Sequence, residues 1–514
     1  MGKISTRVAI LFSVDLLLFI GVILSNLLNI STDEGFAFHT TGFGPSYAWM
    51  QSIDFEAQPP FYFVLESIWR MLNEYSILWA RLPSVFFACG AVALITLAVK
   101  RVAPNIHPLI VSLLTALNPI VIWAAVEMRV YALVLFIAAG LTWTLVEGFL
   151  LPNLVQHKVW LYRLGYTLFA IAGLYTQYYL GFILAAHFLT VLFFTNWKML
   201  RIFILSMVVT IISFVPFVGV VINHVKNAGN MDSVIKLSLP QLIHQFADII
   251  FLFILPHNEF WTGKLQAGVI CLFVILSLTI FFINKPKFNE VQIKIGIQWF
   301  LCLIVFIGFF AVLSTPFPLM RHIIALVPST LVVAFIVMSS ITKWKNQFYS
   351  VIIVLFAVLA STEYLYEYNP MTKPGDWQRA AKIVSMDKTI PVVVFPIEER
   401  PAIDVYLPDD VNPISIPKPM TYGLDYIEQA RIPDELTVTK ILDPVTNISS
   451  FLWVVSLQEC HEPNENGYNF NCRFLQNYLN KNYHLVYTRH LRGTLVKLYQ
   501  TTKQISFPQV TLIQ

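Results

Sequence analysis

Charged and amide side chains interrupt an apolar sequence at a few short segments, and their types indicate group-transfer chemistry. The side chains are Asp33, Glu34, Asp54, Glu56, Gln58, Arg81, Glu127, Arg129, Gln177, Arg321 and His322. A carboxylate can take a proton from an attacking hydroxyl. The planar fork of arginine binds phosphate through paired, charge-assisted hydrogen bonds. Together these groups predict a reaction in which a hydroxyl attacks and a phosphate leaves.

The sequence around these side chains has the composition of a membrane protein. Of its 514 residues, 57% are hydrophobic and only 12% are charged, with a mean hydropathy of +0.66. Soluble proteins average about 25% charged residues, so this composition excludes an ordinary cytosolic enzyme. The net charge of +4 is too small to indicate a nucleic-acid partner.

Apolar runs of about 20 residues predict membrane-spanning helices, because hydrocarbon tolerates only a backbone that satisfies its own hydrogen bonds. By this length criterion we expect about eleven spans. They are centred on 8–29, 81–99, 106–125, 130–150, 160–177, 179–195, 202–222, 264–283, 294–313, 321–341 and 347–364. The predicted fold class is a mainly α-helical, polytopic membrane protein that ends in a small α/β domain.

Basic residues cluster in alternate connections between these spans, and cytoplasmic loops carry an excess of Lys and Arg. The basic residues are Lys3, Arg7, Lys100, Arg101, Lys158, Arg163, Lys198, Arg201, Lys285, Lys287, Lys294, Lys343 and Lys345. The N-terminus is therefore predicted in the cytoplasm, and an odd number of spans places residues 370–514 in the periplasm or outside the cell. Two long loops, 30–80 and 223–262, lie on that outer face, where the acids, amides and arginines emerge.

We expect two domains, a transmembrane domain over 1–369 and an extracytoplasmic α/β domain over 370–514. Residues 370–514 hold 14 Lys or Arg and 15 Asp or Glu residues. Their apolar patterns predict helices at 377–384 and 474–479 and strands at 390–395, 451–457, 483–488 and 494–499. Cys460 and Cys472 would form a disulfide in an oxidising compartment, and two free thiols are the alternative.

The short apolar segment 59–69 in the first outer loop is predicted to lie at the membrane interface, because Glu66 and Arg70 interrupt it. Each candidate side chain also has a structural explanation. Arg81 and Arg321 could be interfacial anchors, and Glu127 and Arg129 an ion pair. Several separate outer connections contribute to one face, however, and this favours a shared function.

The donor for transfer on an outer face would come from the bilayer, because nucleotides are scarce outside the cytoplasm. A polyprenyl phosphate that carries one sugar meets this requirement, since the membrane presents its lipid tail. An acid would then activate the acceptor hydroxyl, while arginines hold the departing phosphate. The expected partners are thus a lipid-linked sugar, membrane lipid and an acceptor that the sequence leaves open.

Several ordered motifs resemble those of C-type (GT-C) membrane glycosyltransferases. More narrowly, they are similar to bacterial relatives of dolichyl-phosphate-mannose protein mannosyltransferases and to aminoarabinose transferases. The motifs are STDEGFA from Ser31, EAQPPFY from Glu56, RLPS from Arg81, NP from Asn118 with EMRVY from Glu127, LYTQYY from Leu174, Arg321-His322 and GDWQRAA from Gly375. Gln58 departs from the pattern, because relatives usually have His or Lys before the double proline.

The resemblance implies an inverting hexosyl- or pentosyltransferase of the cell envelope that uses a polyprenyl-phosphate sugar. Asp33, with Glu34 beside it, would be catalytic, and Asp33 is the expected base. The donor phosphate would be bound by Arg129, Arg321, Gln58 and Arg81, and the acceptor or a metal would lie near Glu56, Glu127, Gln177 and Tyr178. No cofactor is required, but a divalent cation would find oxygen ligands in Asp33, Glu34, Glu56 and Glu127.

Two other functions compete with transfer. One is a transporter or flippase for lipid-linked saccharides, and the other is a non-catalytic assembly subunit with the same fold. Transporters usually place ionisable groups at mid-membrane and contain internal repeats, whereas here the charges gather at one face and the sequence shows no repeat. Residues 370–514 would either bind the acceptor or stabilise the outer loops.

Overall fold

The computed structural model describes residues 5–151, 156–228, 238–254, 287–313, 320–341, 345–369, 371–457 and 470–502. The chain divides into two compact units. The first contains Met1–Leu27, Gly44–Trp49 and Gln58–Asn369, and the second contains Leu28–Phe43, Met50–Ala57 and Pro370–Gln514. This division differs from the linear boundary at residue 369, because two pieces of the first predicted outer loop pack with the C-terminal part of the chain.

The described α-helices are numbered here in chain order. They are α1 Thr6–Leu27, α2 Thr32–Thr41, α3 Pro45–Asp54, α4 Phe61–Arg70, α5 Ile77–Val102, α6 Pro108–Ala116, α7 Pro119–Ala125, α8 Tyr131–Leu145, α9 Gln156–Leu174, α10 Leu180–Phe194, α11 Trp197–Phe214, α12 Val218–Ala228, α13 Leu239–Ile254, α14 Glu290–Leu313, α15 Met320–Ile323, α16 Val327–Ser339, α17 Lys345–Tyr368, α18 Trp377–Val384, α19 Arg400–Asp404, α20 Tyr426–Ala430, α21 Glu435–Ile448 and α22 Cys472–Asn482. The chain is thus mainly helical, as predicted.

Six described stretches are long and apolar enough to cross a membrane, and they mark the chain as a multi-pass membrane protein. They are Thr6–Leu27, Ile77–Val102, Tyr131–Leu150, Trp197–Lys226, Glu290–Val312 and Arg321–Ser339. The helices α6 and α7 become a seventh if their bent pair is one span. Shorter apolar helices occupy Leu180–Phe194, Leu239–Ile254 and Phe348–Ser361, and the predicted span 264–283 lies outside the described residues. The number of about eleven spans stays a prediction.

The break between α6 and α7 has a local cause that the apolar pattern concealed. The first helix ends with Leu117 as its C-cap. Asn118 caps the start of the second helix, and its Oδ1 accepts a hydrogen bond of 3.1 Å from the Ile120 backbone N–H. Pro119 then starts the next helix at a position where its missing N–H costs nothing. The two helix axes consequently differ by 56°.

The helix α4 has the amphipathicity required at a membrane interface, although its polar side faces inward. It buries Glu66, Ser67 and Arg70. Its outward side and C-terminal end expose Ile68 by 52% and Met71 by 71%. An apolar outer face suits the boundary between headgroups and acyl chains, so the interfacial placement stays the prediction for this segment.

The second unit is built on a five-stranded mixed sheet with the order β2-β1-β3-β5-β4. The strands are β1 Val392–Phe395, β2 Ile414–Ser415, β3 Phe451–Leu457, β4 Tyr483–Leu491 and β5 Thr494–Thr501. The central strand β3 runs parallel to β1 and antiparallel to β5. One core of the unit gathers apolar side chains from the sheet, α21 and α22, including Phe395, Val454 and Leu442. The α/β character of this part is as predicted.

Four of these strands coincide with predicted ones, and the two-residue β2 was not predicted. Two of the cysteines, Cys89 and Cys302, are buried free thiols, and Cys472 is disulfide-bonded. Its predicted partner, Cys460, lies outside the described residues. The placement of the second unit outside the cytoplasm stays a prediction.

Candidate active site

The helix α2 presents Asp33 and Glu34 in its first turn, where the helix dipole favours negative charge. Ser31 begins the helix through a capping box. The Glu34 backbone N–H donates to the Ser31 hydroxyl at 3.3 Å, and the Ser31 backbone N–H donates to the Glu34 carboxylate at 2.9 Å. This reciprocal pair fixes the start of the helix.

The two adjacent acids have different environments. The Glu34 side chain is fully buried, and its Oε2 lies 2.9 Å from the Nζ of Lys373, whose side chain is only 3% exposed. Asp33 is half-buried. Both acids were predicted to be catalytic. The geometry gives Glu34 a structural ion pair, whereas Asp33 keeps access to solvent and hence to a substrate.

Asn29, just before the helix, joins α2 to residues 372–375. Its Oδ1 accepts hydrogen bonds of 2.6 Å from the Thr372 hydroxyl and of 2.6 Å from the Lys373 backbone N–H. Its Nδ2 donates to the Gly375 carbonyl at 2.7 Å. All of these groups are buried, so a single amide side chain connects segments about 340 residues apart in the chain.

The backbone of α2 also packs closely against α19. A Cβ added to Gly35 would come within 2.7 Å of the Ala402 backbone nitrogen. The Ile30 backbone N–H donates to the Tyr406 hydroxyl at 2.8 Å. Only a residue without a side chain permits this approach of two helices.

Two carboxyl groups of the second unit lie next to this helix and were not predicted. The Thr32 hydroxyl donates to the Glu399 carboxylate, which is 3% exposed. Burial and the charge of Asp33 raise the pKa of the neighbouring Glu398 to about 7. Burial and the charge of Glu398 raise the pKa of Glu399 well above its usual range. In the sequence these two acids look like an ordinary exposed turn, so no local pattern indicated them.

An aromatic cluster surrounds the other end of α2. The His39 ring stacks on Tyr422 at a centroid distance of 3.5 Å. Phe36 contacts Phe55 and Tyr426 edge-on. Burial lowers the pKa of His39 to about 4, so the ring is neutral at physiological pH.

The predicted metal site receives no geometric support. Among the described residues, no group of three or more His, Cys, Asp or Glu side chains is placed to hold a metal ion. Glu34 is engaged by Lys373, and Glu56 accepts a hydrogen bond from Thr40 at 3.2 Å. A divalent cation stays an untested prediction, and no step below depends on one.

The first unit holds the predicted phosphate-binding residues. Arg81 lies one turn into α5, is 0% exposed and donates to the Ser25 carbonyl at 3.0 Å. Glu127 and Arg129, between α7 and α8, are 5% and 6% exposed. The guanidinium of Arg81 is therefore enclosed by protein, unlike that of an arginine that extends to the membrane interface.

Several buried acceptor atoms in the first unit have no hydrogen-bond partner within the described parts of the chain. They include Oε1 of Gln58, Oε1 of Gln177 and both carboxyl oxygens of Glu66. Burial raises the pKa of Glu66 well above its usual range, against the opposing charge of Arg70. Buried polar groups are nearly always bonded to protein, water or ligand. Gln58 and Gln177, both predicted site residues, thus have hydrogen-bonding capacity left for a bound molecule.

The segment 175–179 connects three predicted parts of the site. The Tyr175 carbonyl accepts a hydrogen bond of 2.9 Å from the Phe61 backbone N–H, directly after the double proline. The ring centroids of Tyr179 and His322 are 5.7 Å apart, next to Arg321. The structure therefore brings the segments of Gln58, Gln177 and Arg321 together.

His224, within α12, is a further polar residue that was not predicted. Its Nδ1 lies 2.8 Å from the hydroxyl of Tyr178, a predicted site residue. His224 is 7% exposed. It occurs in an amphipathic helix without a recognisable motif, so only the fold reveals its partner.

The fold matches that of solved membrane proteins at low sequence identity. The crystal structure of ArnT from Cupriavidus metallidurans in the apo state aligns over 95% of this chain and 97% of its own, with a TM-score of 0.58 and 14% identity. The same protein bound to undecaprenyl phosphate aligns over the same shares with a TM-score of 0.55 and 14% identity. ArnT is an aminoarabinose transferase with the GT-C fold, and this chain shares that fold, as the motifs predicted.

A more distant similarity is to the apo oligosaccharyltransferase of Archaeoglobus fulgidus. It covers 97% of this chain and 75% of that one, with a TM-score of 0.47 and 11% identity. No family model and no curated protein matches the sequence.

Proposed function

We propose that this chain is an inverting glycosyltransferase of the cell membrane, which moves a hexose or pentose from a polyprenyl phosphate to an acceptor hydroxyl on the outer face. The acceptor would be an envelope glycan, a lipid or a protein. The shared fold of ArnT, and undecaprenyl phosphate as its bound lipid, support a polyprenyl-phosphate donor.

The reaction would be a single displacement. Asp33 takes the proton of the acceptor hydroxyl, and the oxygen attacks the anomeric carbon opposite the phosphate. The new carbon–oxygen bond forms as the bond to the phosphate oxygen breaks, which inverts the anomeric configuration. The bonding electrons leave with the polyprenyl phosphate, and Arg129 and Arg321 stabilise its added negative charge.

The observation that carries the proposal is the set of buried polar side chains in the first unit. Arg81 and Arg129 are buried guanidinium groups. The amides of Gln58 and Gln177 retain buried acceptor oxygens without partners among the described residues. An amide can turn to present either its oxygen or its NH2 group. Cations and amide donors together suit a phosphate and a sugar better than they suit a structural core.

Replacement of Asp33 by Asn tests the proposed base. The glycan or glycolipid lost on deletion of the gene is identified by mass spectrometry, and the variants are then expressed in the deletion strain. We expect Asp33→Asn to lower product formation by about 100- to 10,000-fold, the usual effect of a general base. Affinity of the purified protein for undecaprenyl phosphate should remain.

Asp409→Asn is the matched control, because Asp409 is an exposed acid of the same unit. It should form product at the wild-type level. Normal product formation by Asp33→Asn would refute Asp33 as the base. If Asp33→Asn moved a lipid-linked saccharide across the membrane as the wild type does, a transporter would be the better description.

A further inference from the structure

We infer that Lys373, within the segment 372–375, is a positioning residue for Asp33, so that the C-terminal part of the chain aligns the catalytic acid. This inference rests on the proposed function, in which Asp33 is the base. This role of residues 370–514 differs from both acceptor binding and general stabilisation of the outer loops.

The first step of the argument is the ion pair beside Asp33. One carboxylate oxygen of Glu34 accepts from the Lys373 ammonium and from the Ser31 backbone N–H, each at 2.9 Å. Glu34 follows Asp33 directly, in the first turn of α2. An ion pair that fixes the Glu34 side chain therefore fixes the rotation of this turn about the helix axis, and with it the direction of Asp33.

The second step is the attachment of Lys373 itself. The Lys373 backbone N–H donates to Asn29 at 2.6 Å, and Asn29 also binds Thr372 and Gly375. Both ends of the residue are thus engaged, the backbone by Asn29 and the ammonium by Glu34. Lys373 spans the junction between the chain before α2 and the first turn of α2.

The third step connects the segment 372–375 to the sheet. Arg492, in the turn between β4 and β5, donates from Nη1 to the Thr372 carbonyl at 2.7 Å. Its own carbonyl accepts from the Gly375 backbone N–H at 3.0 Å. Gly493 follows with a φ of +70°, and a Cβ there would lie 2.8 Å from the Gly375 nitrogen. A continuous set of short contacts therefore runs from the sheet to the catalytic turn.

Small displacements of a catalytic group have large consequences, since a misplacement of 1 Å can cost about 100-fold in rate. Loss of the Lys373 ammonium would release the Glu34 side chain and the turn that carries Asp33. Because the donor phosphate is assigned to residues of the first unit, this loss should affect the chemical step and leave binding of the lipid phosphate intact.

The test compares Lys373→Met, Lys373→Arg and the double variant Glu34→Gln/Lys373→Met in the full-length protein. Product formation is measured in the deletion strain. Undecaprenyl phosphate affinity and thermal unfolding are measured on purified protein in detergent. We expect Lys373→Met to lower product formation by about 10- to 100-fold with unchanged affinity, and Lys373→Arg to restore most of the product.

The double variant separates position from stability. It removes both charges, so no charge is left buried alone, and its unfolding temperature should approach that of the wild type. Its product formation should remain low, because the bond that directs the first turn is absent. Lys388→Met is the matched control, since Lys388 pairs with Asp410 on the surface of the same unit, and it should behave as the wild type.

Normal product formation by a folded Lys373→Met, or by the double variant where the single one does not fold, would overturn the inference. If Asp33→Asn is inactive in the same experiment, the proposed function still holds. If Asp33→Asn itself is active, the proposed function fails, and the two failures are therefore distinguishable. Equal loss of product and of undecaprenyl phosphate affinity in Lys373→Met would also overturn the inference, because it would indicate general damage.

Discussion

Asn29 and Glu34, around the start of α2, differ from Gln58 and Gln177 in the first unit in how far their hydrogen-bonding capacity is used. In the second unit, Asn29 makes three short bonds to residues 372–375, and Glu34 has both a cation and a backbone donor. In the first unit, Gln58 and Gln177 keep oxygens without partners among the described residues. Fully bonded networks are rigid and fix geometry. Under the proposed function, this difference agrees with a role of Glu34 and Asn29 in positioning the acid and of the two amides in binding the donor.

The largest expected effect at the donor residues is that of Arg129→Ala. A hydrogen bond to a charged group contributes about 1.5–3 kcal/mol, so the affinity for undecaprenyl phosphate should fall roughly 10- to 150-fold. The reason is loss of a guanidinium that is 6% exposed and thus acts at low dielectric. Titration of the purified variant with undecaprenyl phosphate measures the change.

Arg101→Ala serves as the control, because Arg101 is a half-exposed arginine of the same unit that pairs with Glu147. Its affinity for the lipid phosphate should equal that of the wild type. An equal loss in both variants would mean that net charge, rather than the position of Arg129, controls binding. Arg129 would then no longer support a role of the first unit in donor binding.

Much of the fold follows from the sequence, because membrane helices and alternating strands leave local patterns. The runs 8–29 and 81–99 became α1 and α5, since about 20 apolar residues in hydrocarbon have few other conformations. The bend at Asn118 was missed for the opposite reason. A cap and one proline change the helix direction without changing the mean hydropathy.

The site was less predictable, because its critical contacts connect residues far apart in the chain. The acidic motif indicated Asp33 and Glu34 equally. Only the ammonium of Lys373, 339 residues later, distinguishes the buried acid from the accessible one. Glu398 and Glu399 were missed for the same reason, since an acid in a turn looks exposed until a distant helix covers it.

A second prediction concerns how the stability of the protein depends on pH through Glu398, which lies next to α2. The pKa of Glu398 is raised to about 7 by burial and by Asp33, above an ordinary value of about 4.3. The folded protein therefore binds more protons than the unfolded one between these values, and stability must fall as the pH rises through about 7. The other ionisable groups here are Asp33, Glu399 and Arg400, and Arg400 is bonded to Asp404.

Thermal unfolding at pH 5.5 and pH 8 tests this sign. We expect the wild type to lose stability between the two values, and Glu398→Gln to lose less, because the substitution removes one group that must release a proton. Glu428→Gln provides the control, since Glu428 is an exposed acid of the same unit. Identical pH dependence in all three proteins would show that Glu398 ionises as an exposed acid does, and that the second unit is less tightly closed around α2.

The smallest expected effect concerns Gln58, where the motif EAQPPFY departs from the family pattern that it otherwise resembles. In the proposed function the half-buried Gln58 faces the donor phosphate, so a cation at this position should strengthen binding and an anion should weaken it. An exposed or partly screened charge pair contributes up to about 1 kcal/mol, which corresponds to about five-fold. We therefore expect Gln58→Lys to raise the affinity for undecaprenyl phosphate by a few-fold and Gln58→Glu to lower it, as measured by the same titration. If both variants change the affinity in the same direction, the effect comes from loss of the amide's shape and not from attraction to a phosphate. Gln58 would then not be a donor-binding residue.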